Sequence, residues 1–315
     1  GRAPGRAEPG GQAARPGPLQ LLFAGDRPLW LSGAQLLRQH GLDARAGQAA
    51  ELVLLGSLEG VWHCVAQLEG PAGSVEAPAR WLSGRQLSSP ALRREDAAVC
   101  GHALAALQWH AGARFSGSTG KAARPVEAGA RREAGRGDRL YPRVDPAVIM
   151  AVLSPDSQRC LLGRYPGSNF YTCLAGFLEQ GESVEEACRR ETLEEAGVRV
   201  GRVLLHSSQP WPIGRAGSCE IMIGCMAQAT STELAVDEEE MAAVGWFTRE
   251  QVAAMLGRAA RGAAPSEDAP VVPGAHAMAH HLLRCFAEGF SWPTLGAEGP
   301  AGPAAPAGPG PAARL

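Results

Sequence analysis

Lysine is nearly absent from this chain: Lys121 stands alone among many arginines. With a formal net charge of −2 and no basic stripe interleaved with aromatic residues, no dedicated nucleic-acid surface is expected, and partners must be argued from individual sites. A C-x-x-C pair is also missing. Cys64, Cys100, Cys160, Cys173, Cys188, Cys219, Cys225 and Cys285 stand singly, several in apolar runs such as Ile221-Met222-Ile223-Gly224-Cys225. Buried free thiols in a reducing compartment are therefore expected, in place of a disulfide framework or a zinc site. No apolar run approaches ~18 residues, which leaves no expectation of a membrane partner.

Glycine, proline and alanine are abundant throughout, a bias that carries little function in itself. It concentrates in residues 1–18 and 291–315, which have too few large apolar side chains to offset the entropy of ordering and are expected to be disordered. The missing initiator Met reads as a fragment or a processed start. The arginine-rich beginning has no apolar h-region, and Glu8 argues against a mitochondrial transit segment. A length of 315 residues suggests two compact units.

Residues 19–110 read as a smaller mixed N-terminal domain. Its apolar runs are Leu19 to Phe23, Leu52 to Leu55 and Val61 to Val65, and helical spacing follows from Asp96 to Trp109. Residues 111–140 read as a linker or a degenerate module, and residues 141–290 as the second unit. There the pattern predicts strands at Ala147 to Leu153, Arg159 to Gly163, Val203 to Ser207, Ile221 to Ala229 and Val244 to Phe247. Helices are predicted near Val184 to Ala196, Arg249 to Leu256 and His276 to Glu288. Strands and helices mix without regular βαβ alternation, so the fold class is α+β with a layered sheet between helices.

The chemistry concentrates in the first of those helices. Ser183 is a plausible N-cap with Glu186 completing a capping box, and Gly197 supplies the C-terminal stop. Glu191, Glu194 and Glu195 then fall at i, i+3 and i+4 and project from one face. Their mutual repulsion, ~0.2–0.5 kcal/mol per pair, is what a bound divalent cation reverses. Arg190 lies one turn before Glu194 and can orient it, while Glu182 sits near the positive helix end. Glutamates on a helix are ordinarily a solvated face. Here, though, they belong to a longer pattern: Gly176, five residues, Glu182, seven residues, then Arg190-Glu191-Thr192-Leu193-Glu194-Glu195-Ala196-Gly197-Val198.

That pattern is the Nudix box, and the segment resembles the Nudix hydrolases, which cleave nucleoside diphosphates linked to another moiety. Thr192 stands where an aliphatic residue is usual. The resemblance implies an α/β/α sandwich with a mixed sheet, Glu191 and Glu195 as metal ligands with the Ala175 carbonyl, and Glu194 in a metal-bound water network. Mg²⁺ or Mn²⁺ would then neutralise the diphosphate and activate water. Ser208-Gln209-Pro210-Trp211-Pro212 resembles the signature of the NADH pyrophosphatase branch. After it Ile213 and Gly214 depart from the pattern, with a short insertion between Arg215 and Glu220. In that branch Tyr141 and Phe177 would stack a ring of the dinucleotide, Glu240 would be a third carboxylate ligand, and Gln209, Trp211, Ser218, Met222 and Ala279 would line the pocket.

The implied activity is hydrolysis of NADH or NAD⁺ to reduced or oxidised nicotinamide mononucleotide and AMP, with NAD-capped RNA as a related substrate. Hydrolysis of ADP-ribose, other nucleotide sugars or coenzyme A is the alternative enzyme, and a non-catalytic nucleotide-binding module the alternative class. A homodimer is implied. Where the family carries zinc-ribbon cysteines, this chain has Ser116-Gly117-Ser118-Thr119, and tetrahedral zinc needs about four ligands that His102 and His110 cannot supply. No structural zinc is expected; stoichiometric zinc retained by the purified protein after dialysis would contradict this. Ala313-Arg314-Leu315 is similar to the Ser-Lys-Leu address read by a peroxisomal import receptor, with cytoplasmic or mitochondrial location as alternatives.

Overall fold

The structure is a computed structural model that describes residues 19–24, 27–31, 52–58, 61–68, 94–214, 218–266 and 269–293. The expectations for residues 1–18 and for Ala313-Arg314-Leu315 fall outside the described residues. No helix among the described residues is long and apolar enough to cross a membrane.

The N-terminal strands β1 (Leu19–Ala24), β2 (Arg27–Leu31), β3 (Leu52–Leu58) and β4 (Val61–Leu68) form one sheet in the order β2-β1-β4-β3. Helix α1 (Arg94–Gly112) covers it, and Val53 and Val65 pack with Cys100, Ala103, Leu104 and Leu107 in a small core.

Residues 113–140 carry a three-stranded antiparallel sheet, β5 (Arg124–Val126), β6 (Arg131–Glu133) and β7 (Arg139–Leu140). The turn that replaces the family's cysteines is closed by hydrogen bonds. Ser116 Oγ accepts from the backbone N–H of Ser118 and Thr119, each at 3.2 Å, and Thr119 Oγ1 donates to Asp138 at 2.8 Å. Hydrogen bonds from Thr119 and then Ser116 hold the Asp138 carboxyl below its usual range. On the other side, the buried Arg132 donates to the Ala123 carbonyl (2.6 Å) and to His110 Nδ1 (3.0 Å). A guanidinium only donates, so His110 carries its proton on Nε2 and gives it to the Gly129 carbonyl at 2.8 Å.

The second unit is α+β. Strands β8 (Asp145–Leu153), β9 (Arg159–Arg164), β11 (Val200–Trp211), β12 (Glu220–Ala229) and β13 (Ala243–Thr248) form a mixed sheet in the order β11-β12-β8-β9-β13. A short β10 (Leu174–Phe177) pairs with β8. Side chains alternate across β8, so Val148, Met150 and Val152 face one layer and Ile149, Ala151 and Leu153 the other. The first layer is helix α2 (Val184–Ala196), packed through Ala187, Cys188 and Ala196. The second is α3 (Arg249–Ala260) and α4 (Met278–Ala287), packed through Val252, Met255, Leu282, Leu283 and Phe286. This is the α/β/α layering.

Two segments depart most from the sequence pattern. Leu174–Phe177 is a strand that no periodicity announces, because four residues give too short a window. The Ser208-to-Trp211 stretch, whose Pro210 suggests a loop, continues β11 and pairs with β12 as far as Trp211 opposite Glu220. β11 is the outer strand of its sheet, where a proline without an N–H is tolerated.

Candidate functional site

Helix α2 is fixed at both ends by its own sequence. Ser183 Oγ accepts from the Glu186 N–H (3.2 Å), the Ser183 N–H donates to Glu186 Oε2 (2.8 Å), and Gly197 at φ 71° returns its N–H to the Leu193 carbonyl. The unusual Thr192 is fully buried and spends its hydroxyl on the Cys188 carbonyl at 2.7 Å, so it adds no unpaired polar group to the packed face.

Arg190 organises the acidic face. It forks both oxygens of Glu182 (2.8 Å each), reaches Glu191 Oε1 (2.8 Å) and Glu194 Oε2 (3.0 Å), and donates to the Phe177 carbonyl (2.8 Å). One guanidinium thus ties the start of the box, its helix and β10. The same hydrogen bonds hold the Glu182 carboxyl below its ordinary range. Burial pushes Glu191 the other way, with the nearby charges of Glu194 and Glu240 adding to it against Arg190. Glu182 is therefore placed as the anchor of Arg190, and Glu194, with its side chain 52% exposed, faces solvent.

Glu195 points inward and is buried, 3% exposed. Its Oε1 accepts from the Tyr165 hydroxyl at 2.9 Å; the Ala175 carbonyl lies 3.2 Å from that hydroxyl, and the Ala175 N–H donates to it at 3.1 Å. Beside them Gly176 has no room for a side chain: a Cβ there would lie 1.9 Å from the Glu191 carboxyl carbon. Glu240 sits in the turn before β13, which joins the end of α2 through the Asp237 N–H on the Glu195 carbonyl.

No set of three or more His, Cys, Asp or Glu side chains stands converged as a cation cage among the described residues. The donors nonetheless fit a hard divalent ion in kind. They are all oxygen, Glu195 and the Ala175 carbonyl share one hydroxyl, and Glu191 fills the cradle that Gly176 leaves open.

On the α4 side of the sheet a cavity of about 920 Å³ opens, with Tyr165 and Ala175 in its wall. Gln209, Trp211 and Met222 line it from β11 and β12, and Ala279 from α4. Gln209 is tied across it, its Nε2 donating to the His276 carbonyl at 2.6 Å. Ser218 reaches the wall through Glu220, a buried lining residue whose carboxylate accepts from the Ser218 hydroxyl at 2.8 Å. Burial, with His280 nearby, lowers the pKa of the lining His276. Tyr141 and Phe177 do not line the cavity. Tyr141 is 57% exposed beneath the Arg131 guanidinium, 5.0 Å from the ring centre, and Phe177 is 41% exposed at the end of β10. Sequence reasoning missed Tyr165, Phe170, Glu220 and His276; none lies at a recognisable motif spacing.

The N-terminal unit supports this cavity. Ile213 lines it and also packs against the α1 core, and Gly101 of α1 faces Pro212 so closely that a Cβ would stand 2.9 Å from its ring. Gly101→Ala is expected to cost about 1 kcal/mol of stability by overpacking. It should also raise KM several-fold by shifting the Trp211-to-Gly214 wall while leaving kcat within twofold. Steady-state kinetics with thermal melting checks both.

The glutamate helix laid under β10, within a mixed sheet flanked by helices, defines the class as a Nudix domain. A family model described as NUDIX domain matches residues 143–269. NAD-capped RNA hydrolase NudC of Mycobacterium bovis is 34% identical over 244 residues, 75% of each chain, and the chain belongs to the Nudix hydrolase family. NAD-capped RNA hydrolase NUDT12 of Macaca fascicularis is 42% identical over 206 residues, 61% of this chain and 42% of that protein. The mitochondrial NAD(P)H pyrophosphatase NUDT13 of Mus musculus is 35% identical over 213 residues, 65% of this chain and 59% of that protein. The chain spans about half the length of these last two relatives.

Proposed function

We propose that this protein hydrolyses the diphosphate bond of NADH and NAD⁺, releasing AMP and reduced or oxidised nicotinamide mononucleotide, and acts on NAD-capped RNA 5′ ends by the same chemistry. The observation that carries this reading is a roomy cavity whose wall contains Ala175 and Tyr165, the Tyr165 hydroxyl meeting both Ala175 and Glu195. The relatives' names, NAD-capped RNA hydrolase and NAD(P)H pyrophosphatase, support the choice of a nicotinamide dinucleotide.

Glu191, Glu195, Glu240 and the Ala175 carbonyl are the residues that would hold Mg²⁺ or Mn²⁺. Such an ion neutralises the diphosphate and lowers the pKa of an attacking water. Arg190 fixes the bearing of Glu191 and Glu194, and the solvent-facing Glu194 carboxylate, held by one oxygen, would be the group to accept a proton from that water. Gln209, Trp211, Met222 and Ala279 shape the cavity that receives the substrate's rings. Exposed Tyr141 and Phe177 supply further aromatic faces for stacking. A homodimer completes the assembly. Incubation with NADH and Mg²⁺ releases AMP in this reading; intact NADH beside rapid ADP-ribose cleavage contradicts it.

A further inference from the structure

We infer that Tyr165 is a positioning residue that sets the Glu195 carboxylate against the Ala175 carbonyl, so that the two can ligate one divalent cation. The inference rests on the proposed metal-dependent hydrolysis.

Tyr165 follows β9 and is pinned at its backbone. The Gly163 and Thr172 N–H and C=O groups pair at 3.0 and 2.8 Å across the base of the loop, the Arg164 carbonyl accepts from Ala242 N–H at 2.8 Å, and the Tyr165 carbonyl accepts from Ser168 N–H at 3.0 Å. Ala242 lies two residues beyond Glu240, so the loop that carries the phenol is tied to the turn that carries the third acid. The ring packs against the α2-side core and also lines the cavity, which leaves the hydroxyl one reachable position.

That hydroxyl has one proton to give. Glu195 Oε1 at 2.9 Å takes it in preference to the neutral Ala175 carbonyl at 3.2 Å, because a charged acceptor makes the stronger hydrogen bond. Its lone pair meanwhile accepts the Ala175 N–H at 3.1 Å, which fixes the peptide next to the Gly176 cradle. One side chain therefore orients a helix carboxylate and a strand peptide, on residues 20 apart in sequence, before any cation arrives. Removing that donor loosens the geometry that holds the carboxylate beside the Ala175 peptide, which weakens it as a ligand.

Tyr165→Phe removes one oxygen and keeps the ring's packing. Mn²⁺ binding to the purified full chain without nucleotide, followed by calorimetry or electron paramagnetic resonance, should show the dissociation constant raised by about tenfold or more. Turnover of NADH should lose a similar factor in kcat while KM stays within twofold, since the cavity wall is unchanged. Mn²⁺ affinity that is unchanged, with only a lower melting temperature, would assign the hydroxyl to stability alone and overturn the inference. Tighter Mn²⁺ binding by the variant would also overturn it, by making the hydroxyl a competitor for Glu195. Absence of metal-dependent turnover in the parent protein would count against the proposed reaction, and the Mn²⁺ comparison would still decide the role of Tyr165.

Discussion

Glu195→Gln should reduce metal-dependent NADH hydrolysis by at least about 100-fold, more than the loss typical of an outer partner of a metal ligand. The substitution is nearly isosteric at a position 3% exposed, and glutamine can still accept from Tyr165, so the melting temperature should move by only a few degrees. What disappears is the charge. Glu194→Gln, at a side chain 52% exposed, should cost less, because a water can take over part of its role. Initial rates for both variants under saturating Mg²⁺, with melting curves, check the order. Equal activity of Glu195→Gln and the parent would remove this helix from the chemistry.

Arg190→Ala has the second large effect, and it divides between stability and rate. The guanidinium makes five hydrogen bonds, and removing it leaves Glu182 and Glu191, with side chains 13% and 12% exposed, without their cation. Breaking a buried pair costs about 3–5 kcal/mol, and partial exposure discounts this to about 2 kcal/mol here. Activity should fall more than tenfold, because Glu191 and Glu194 lose their bearing together. Lysine at this position should not restore it, since an ammonium cannot fork Glu182 while reaching Glu194. The acid limb of stability reports the same contact. Glu182 is held below its unfolded pKa, so its contribution is complete above the ordinary carboxylate range and is lost as pH falls through the depressed value. In Arg190→Ala that part of the acid dependence should vanish. Denaturant melts at several pH values, with kinetics, measure both effects.

The parts of this account that were readable from the sequence are those set by local physics. The ends of α2 follow from Ser183, Glu186 and Gly197, each acting within one turn, and the carboxylates on one face follow from helical spacing. The mixed sheet between helices follows from apolar periodicity and from the resemblance that the box carries. β10 was not readable, since its identity as a strand depends on pairing with β8, and Pro210 within Ser208-to-Trp211 concealed a strand that an outer position permits. Tyr165 was invisible for a third reason. Its partner is 30 residues away across a loop, and no spacing rule connects the two. The turn at Ser116 to Thr119 illustrates the converse: the missing cysteines were plain, while the hydrogen bonds to Asp138 that close it appear only in three dimensions.

The central claim is metal-dependent diphosphate cleavage of a nicotinamide dinucleotide. Its most direct test is product analysis after incubating the full chain with NADH and either Mg²⁺ or Mn²⁺, in parallel with NAD⁺, ADP-ribose and a chelated control. AMP and reduced nicotinamide mononucleotide should appear in equal amounts, and neither with chelator. NADH left intact while ADP-ribose is consumed, or turnover that persists in chelator, would contradict it.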